Sequence, residues 1–191
     1  MTAYLREDWY GEEMVDRVYE GCSFEFVDLT EATVQGTTFT ECRFGNVTFN
    51  ASRHTDSAFV RCTFKRCNLF EAEFNGCKLL GSSFEDCKLR PLRVVGGDWS
   101  FVTLTRADLR GVVFQRVRMR EAELTGADLE EAIVTDVDLS GAQLRGAKLD
   151  RCDLRGSDLS TMDPREVGLR GAIINAEQAV MVAGALGLEI R

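Results

Sequence analysis

The chain has 191 residues, of which 45% are apolar and 28% charged, with a formal net charge of −8. That length fits one domain, no run approaches the about 18 apolar residues of a membrane helix, and net negative charge disfavours direct nucleic-acid binding through phosphates. The charge is uneven: residues 1–40 hold nine acids and two bases (−7), residues 41–120 eight acids and fourteen bases (+6), residues 121–174 twelve acids and six bases (−6), and the last 17 residues add −1.

Residues 1–18 form an N-terminal extension or a distorted first coil. Trp9 and Met14 are in phase with the later repeat, but Glu7 and Glu12, two residues before them, are not small. A distorted coil and a short helix both fit. The opening MTAYLREDWYGEEMVD has no apolar core of the kind a signal peptide needs, so a cytoplasmic location is expected.

Residues 19–174 carry one period, and it is five. Counting from Phe24 to Ile174 in steps of five gives 31 positions, and 29 hold a large apolar residue; His54 and Pro164 are the exceptions. Call this position i. Two residues earlier, at i−2, the chain carries Ala, Cys, Ser, Thr, Val or Gly everywhere except Leu92 and Met162. Helices repeat at 3.6 and strands at 2, so a five-residue period is neither. An extended piece plus a turn makes one side of a coil, with i and i−2 pointing inward. Four sides make a square coil of 20 residues, and successive coils pair in parallel about 4.8 Å apart. The small i−2 residue is expected where coils turn. Arg90-Pro91-Leu92 and Gly96-Gly97 mark a bulge in mid-rod.

All seven cysteines (Cys22, Cys42, Cys62, Cys67, Cys77, Cys87, Cys152) occupy i−2. That slot makes them packing thiols, and without a CxxC pair no zinc site is expected. The single histidine, His54, falls in an inward slot and reads as a core residue. No catalytic residue, metal or cofactor is expected, and the chain is not read as an enzyme.

Residues 175–191, NAEQAVMVAGALGLEIR, leave the repeat. Asn175 followed by Gln178 fits a capping box, Ala176 to Leu186 favours helix, and Gly187 fits a stop. Leu188 and Ile190 suit a short final strand. A solenoid end needs such a cap. Val180, Met181, Ala183, Leu186 and Leu188 exceed what a polar cap requires. They either bury on the last coil or form a homodimer interface.

ADLRG at 107–111, ADLEE at 127–131, CDLRG at 152–156 and SDLST at 157–161 resemble the A(D/N)LXX unit of the pentapeptide-repeat family. The resemblance implies an all-β fold: a right-handed quadrilateral parallel β-helix, here with a short C-terminal α-helical cap. The order of a Phe-rich half, KLRPLRV at 88–94, a Leu-rich half, MDP at 162–164 and the terminal NAEQAVMVAGALGL is similar to the family's fluoroquinolone-resistance branch. That closer resemblance implies a homodimer joined through the C-terminal cap. It further implies a DNA mimic that binds DNA gyrase, inhibits supercoiling by occupying a DNA site, and protects from fluoroquinolones. The candidate contact residues are the carboxylates of the C-terminal half: Asp108, Asp128, Glu130, Glu131, Asp136, Asp138, Asp150, Asp153 and Asp158. A fold is not a function, and a structural solenoid serving a different protein partner remains the alternative.

Overall fold

The computed structural model describes residues 2–190. Its strands are all three residues long and all pair in parallel with a strand 20 residues away. One side of the rod stacks residues 3–5, 23–25, 43–45, 63–65 and 83–85; another runs from 13–15 to 133–135; a third stacks 18–20, 38–40 and 58–60. Single bridges such as Asp8 to Asp28, Asp28 to Thr48 and Thr48 to Asn68 make the remaining side. The chain is therefore a four-sided parallel β-helix.

The five-residue period follows from this geometry. Through most of the rod i and i−2 are buried, while the outward positions carry the polar residues. The corner itself lies elsewhere than the sequence suggests. Residue i+2, not i−2, takes the left-handed backbone, as at Glu31 (φ 59°), Asp56 (φ 46°) and Arg61 (φ 52°). The Leu29 carbonyl then accepts the Ala32 N–H at 3.1 Å, closing the turn. The i−2 residue follows the corner and points into the rod, so it must be small because the interior is already filled by i.

Inward rings lie one above another because the coils stack in register. Tyr4, Phe24, Phe44, Phe64 and Phe84 form one column with centroids 4.9, 4.8, 4.8 and 4.6 Å apart. Tyr19, Phe39 and Phe59 form a second, at 4.9 and 4.7 Å. Removing one such ring, as in Phe44→Ala, costs about 3–5 kcal/mol through lost transfer energy and the cavity left behind.

Residues 3–5, 13–15 and 18–20 pair with the coil above, so the chain before residue 19 is a coil rather than a helix. The large Glu7 and Glu12 at i−2 are tolerated there because, at the rod's end, Glu7 is exposed and Glu12 only half-buried.

At the other end, the helix spans Ala176–Ala185. Asn175 and Gln178 satisfy one another reciprocally: the Asn175 side chain accepts the Gln178 N–H at 2.9 Å, and Gln178 Oε1 accepts the Asn175 N–H at 2.8 Å. The buried Gln178 also donates through Nε2 to the Leu154 and Ser157 carbonyls, at 2.7 and 2.8 Å. These lie at the rod's end, where coil-to-coil pairing reaches only as far as Ile173. One side chain thus caps the helix and the solenoid together. Gly187 (φ 82°) ends the helix, with its N–H on Gly184 and the Leu188 N–H on Ala183, the Schellman arrangement. Leu188 to Ile190 form no strand, a correction to the sequence expectation; the Leu188 N–H is taken up by the Ala183 carbonyl in closing the helix.

Candidate functional site: the carboxylates of the C-terminal half

The nine candidate carboxylates do not form one patch. They divide over three sides of the rod. Asp108 and Asp128 stack as a bridge pair, with Glu130, Glu131 and Asp150 beside them. Asp136 and Asp153 lie on the side of strand 133–135, and Asp138 and Asp158 stack on the side after it. This placement follows from the period: positions 20 apart share a side.

Six of the nine are engaged by bases of the same chain. Asp108 receives Arg110 through two nitrogens at 2.8 Å each, and Arg90 Nε at 2.8 Å from the preceding coil. Asp128 holds Lys148 at 3.1 Å. Arg151 reaches Glu131 at 2.9 Å and Glu130 at 3.6 Å. Asp138 takes Arg120 at 2.5 Å and the Ser140 hydroxyl at 2.7 Å. Asp153 takes Arg155 at 2.7 and 2.9 Å. The Arg110 guanidinium holds Asp108 below the usual carboxylate range, and Arg155 does the same for Asp153. At Asp138 partial burial pulls the pKa upward, but Ser140 and Arg120 outweigh it and the net direction is down.

Asp136, Asp150 and Asp158 carry no ion pair among the described residues. Asp150 accepts the Arg170 N–H at 2.9 Å and Asp158 the Ser160 N–H at 2.9 Å. Asp136 sits at a left-handed corner, φ 55°. These three keep their charge available to a partner; the other six have spent much of it internally. The neutralising bases were legible in part, since Lys148 and Arg151 stand 20 residues after Asp128 and Glu131. Arg120 to Asp138 spans 18 residues and depends on how the guanidinium lies across the coil boundary.

The terminal helix leaves its apolar side chains open. Val180, Met181, Leu186 and Leu188 are 54%, 42%, 46% and 62% exposed, and Ala183 is half-buried. Val182, which the sequence does not single out, is the one packed on the core. His54 is fully buried, stacked on Phe74 at 4.4 Å, with Nε2 3.0 Å from the Ser52 hydroxyl. Ser52 gives its proton to the Phe49 carbonyl at 2.7 Å, so Nε2 is the donor to Ser52 and Nδ1 is a bare acceptor. Among the described residues no helix is long and apolar enough to cross a membrane.

Two family models match the chain: pentapeptide repeat region over residues 57–144 and pentapeptide repeats (8 copies) over residues 19–53. The chain is 38% identical over 101 residues to the pentapeptide repeat protein MfpA of Mycobacterium tuberculosis, covering 53% of this chain and 55% of that one. It is 38% identical over 64 residues to MfpA of Mycolicibacterium smegmatis, covering 32% and 34%. The matched part thus spans about half the length of the first curated relative, and less of the second. A trypsin-treated form of QnrB1, a plasmid-mediated fluoroquinolone resistance protein, superposes with a TM-score of 0.88 at 19% identity, covering 100% of this chain and 98% of that one. HetL, a pentapeptide repeat protein involved in heterocyst differentiation regulation from the cyanobacterium Nostoc, superposes with a TM-score of 0.77 at 20% identity, covering 89% and 86%. At such identities the two superpositions show the shared fold.

Proposed function

The chain belongs to the pentapeptide-repeat proteins and is related to MfpA and the Qnr proteins, and from that premise we propose that it is a cytoplasmic DNA mimic that binds DNA gyrase. In this reading it inhibits supercoiling by occupying a DNA site and protects the enzyme from fluoroquinolones, acting as a binding protein rather than an enzyme. The 38% identity to MfpA over 101 residues carries the reading. The open apolar helix supports a homodimer through the C-terminal cap, which places two −6 segments at the centre of a doubled rod.

Asp136, Asp150 and Asp158 are the contacts favoured within the candidate set, because none of them is held in an ion pair among the described residues. Attraction between such carboxylates and a basic DNA-receiving surface weakens as salt rises. The test is a titration of gyrase supercoiling with the unaltered protein and with Asp136→Lys, Asp150→Lys and Asp158→Lys combined. Dose-dependent inhibition is expected, weakened at least tenfold by the triple reversal and by added salt. Absence of inhibition at micromolar dimer would sink the reading. An interaction solenoid with another partner is the second reading; it is favoured by the internal neutralisation of six of the nine carboxylates, which leaves less charge for mimicry than a uniform acidic rod.

A further inference from the structure

Along one side of the rod, the same three backbone bonds tie each coil to the next up to Arg145, with one interruption. Below it, the Arg66 N–H donates to the Glu85 carbonyl at 2.8 Å, Leu69 to Lys88 at 2.8 Å, and Lys88 to Cys67 at 2.9 Å. Above it, Arg106 donates to Thr125 at 2.9 Å, Leu109 to Asp128 at 2.7 Å, and Asp128 to Ala107 at 2.9 Å. Between them none of the three forms. The N–H groups of Asp86, Leu89 and Asp108, and the carbonyls of Cys87, Thr105 and Asp108, lack the partners their counterparts have. The bridges tell the same story: Asn68 to Lys88 and Asp108 to Asp128 are present without the rung between.

Pro91 accounts for the gap. It holds an i+2 corner, where Glu71 one coil before has φ 58° and Gly111 one coil after has φ 66°. A proline ring fixes φ near about −65°, so the left-handed corner cannot form. The Glu71 N–H bonds instead to the Pro91 carbonyl, at 2.7 Å. The two coils part into a cleft of about 640 Å³, whose apolar lining includes Phe84, Leu89 and Ala107. The Arg90–Asp108 ion pair, at 2.8 Å, bridges the two walls.

Three freed donors and three freed acceptors beside an apolar lining complement an extended main chain, which is how strand addition binds peptides. Charge selects the sequence of that strand. The cleft lies in the stretch 41–120, which carries +6 in a chain of net −8. Arg106 lines it and Lys88 lines the hollow that adjoins it across Cys87, Leu89 and Asp108, neither with an ion pair among the described residues; Asp86 is the unpaired carboxylate of the cleft. Glu85 and Asp108 are already held by Lys65, Arg90 and Arg110.

We propose that this cleft docks an extended acidic peptide segment of a partner protein, main chain to main chain on the freed backbone groups, with its carboxylates toward Lys88 and Arg106. The site is independent of the gyrase reading and stands or falls without it.

The probe is the acetylated, amidated hexapeptide Val-Glu-Val-Glu-Val-Glu, titrated into the ¹⁵N-labelled full chain. Shifts and slowed solvent exchange are expected at the Asp86, Leu89 and Asp108 amides. Binding should weaken at least tenfold when the glutamates become lysines, when the peptide amides are N-methylated, and in the Lys88→Glu, Arg106→Glu double variant. Pro91→Gly restores the corner, closes the ladder and should abolish binding; if that variant does not fold, the charge variants carry the test. The proposal is overturned if those three amides stay unmoved to millimolar peptide, or if the lysine or N-methylated peptide binds equally well.

Discussion

Gly97 faces the Cys77 peptide of the coil before it so closely that a Cβ at 97 would overlap the Cys77 carbonyl oxygen and lie 2.8 Å from its nitrogen. Two demands meet at this residue, a left-handed φ of 89° and a backbone approach that only hydrogen permits. Gly111 separates them, since it has φ 66° but open space around its Cα. Gly111→Ala should therefore cost about 1–2 kcal/mol, the left-handed penalty alone. Gly97→Ala should cost more, about 3–5 kcal/mol, because neighbouring backbone must move. Denaturant midpoints of the two variants check this; equal losses would mean that the contact with Cys77 contributes nothing.

Gln178 should matter more than a helix cap does. Gln178→Ala leaves the Ser157 carbonyl without its donor and removes one of two donors from the Leu154 carbonyl, which keeps the Ser157 N–H, and should cost about 1–3 kcal/mol. Gln178→Glu keeps the size but turns an acceptor toward those carbonyls, and should cost at least as much. The loss should be local first, so limited proteolysis within residues 175–190 would accelerate before the rod unfolds. Unchanged proteolysis in both variants would mean the cap is held by something else.

How far the sequence reaches is visible in these two residues. The period of five gave the coil, its four sides and the inward columns, because stacking identical coils repeats one packing solution. Asn175 and Gln178 were legible as a cap, since that pair acts within four residues of chain. The bonds from Gln178 to Leu154 and Ser157 were not, because they cross 24 and 21 residues to an end that exists only once the rod has formed. Pro91 signalled an irregularity, but which rungs it removes depends on where the next coil lies. The candidate carboxylates were legible as acids, and their ion pairs only where a base stands 20 residues on, as Lys148 does from Asp128; the pair of Arg120 with Asp138 depends on the path of the guanidinium.

His54 ties stability to pH. Burial drives its pKa down to about 3, against about 6.5 in the unfolded chain. The folded pKa is the lower, so the unfolded chain takes up the proton first as pH falls. The stabilisation is whole above about 6.5 and is lost toward about 3, at about 1.4 kcal/mol per pH unit. His54→Phe, which can stack on Phe74, removes this dependence. The stability difference between variant and parent should move in favour of the variant by that slope below pH 6.5. A difference constant between pH 7 and pH 5 would show that the imidazole is not held neutral.

The thiols should divide one against six. Burial raises the Cys77 pKa to about 11 and that of Cys152 to about 12; the hydrogen bond with Cys42, and then burial, pushes Cys62 up, and the hydrogen bond with Cys87, and then burial, does the same for Cys67. Cys87, at the opened corner, is the one cysteine that is not buried. Ellman's reagent at pH 8 should label one thiol per native chain quickly, and Cys87→Ser should remove that phase. Denaturation should release all seven. Several fast thiols in the native chain would mean the i−2 columns are not closed.

Met181 tests the proposed dimer. The helix turns Val182 and Gln178 toward the rod, so on a helix the residues between them must face elsewhere. Val180, Met181, Leu186 and Leu188 leave apolar surface uncovered, which soluble monomers seldom retain as a contiguous patch. A two-fold pairing would bring each of these side chains against its counterparts. Met181→Arg places two like charges near that axis without touching the bonds from Gln178 to the last coil. Light scattering should give twice the 21.3 kDa chain mass for the parent and the single mass for the variant. Both should keep the same thermal midpoint for the rod at low concentration, because the change lies outside the core. A parent that is monomeric at micromolar concentration would remove the doubled rod, and with it the meeting of two acidic segments on which the gyrase reading depends.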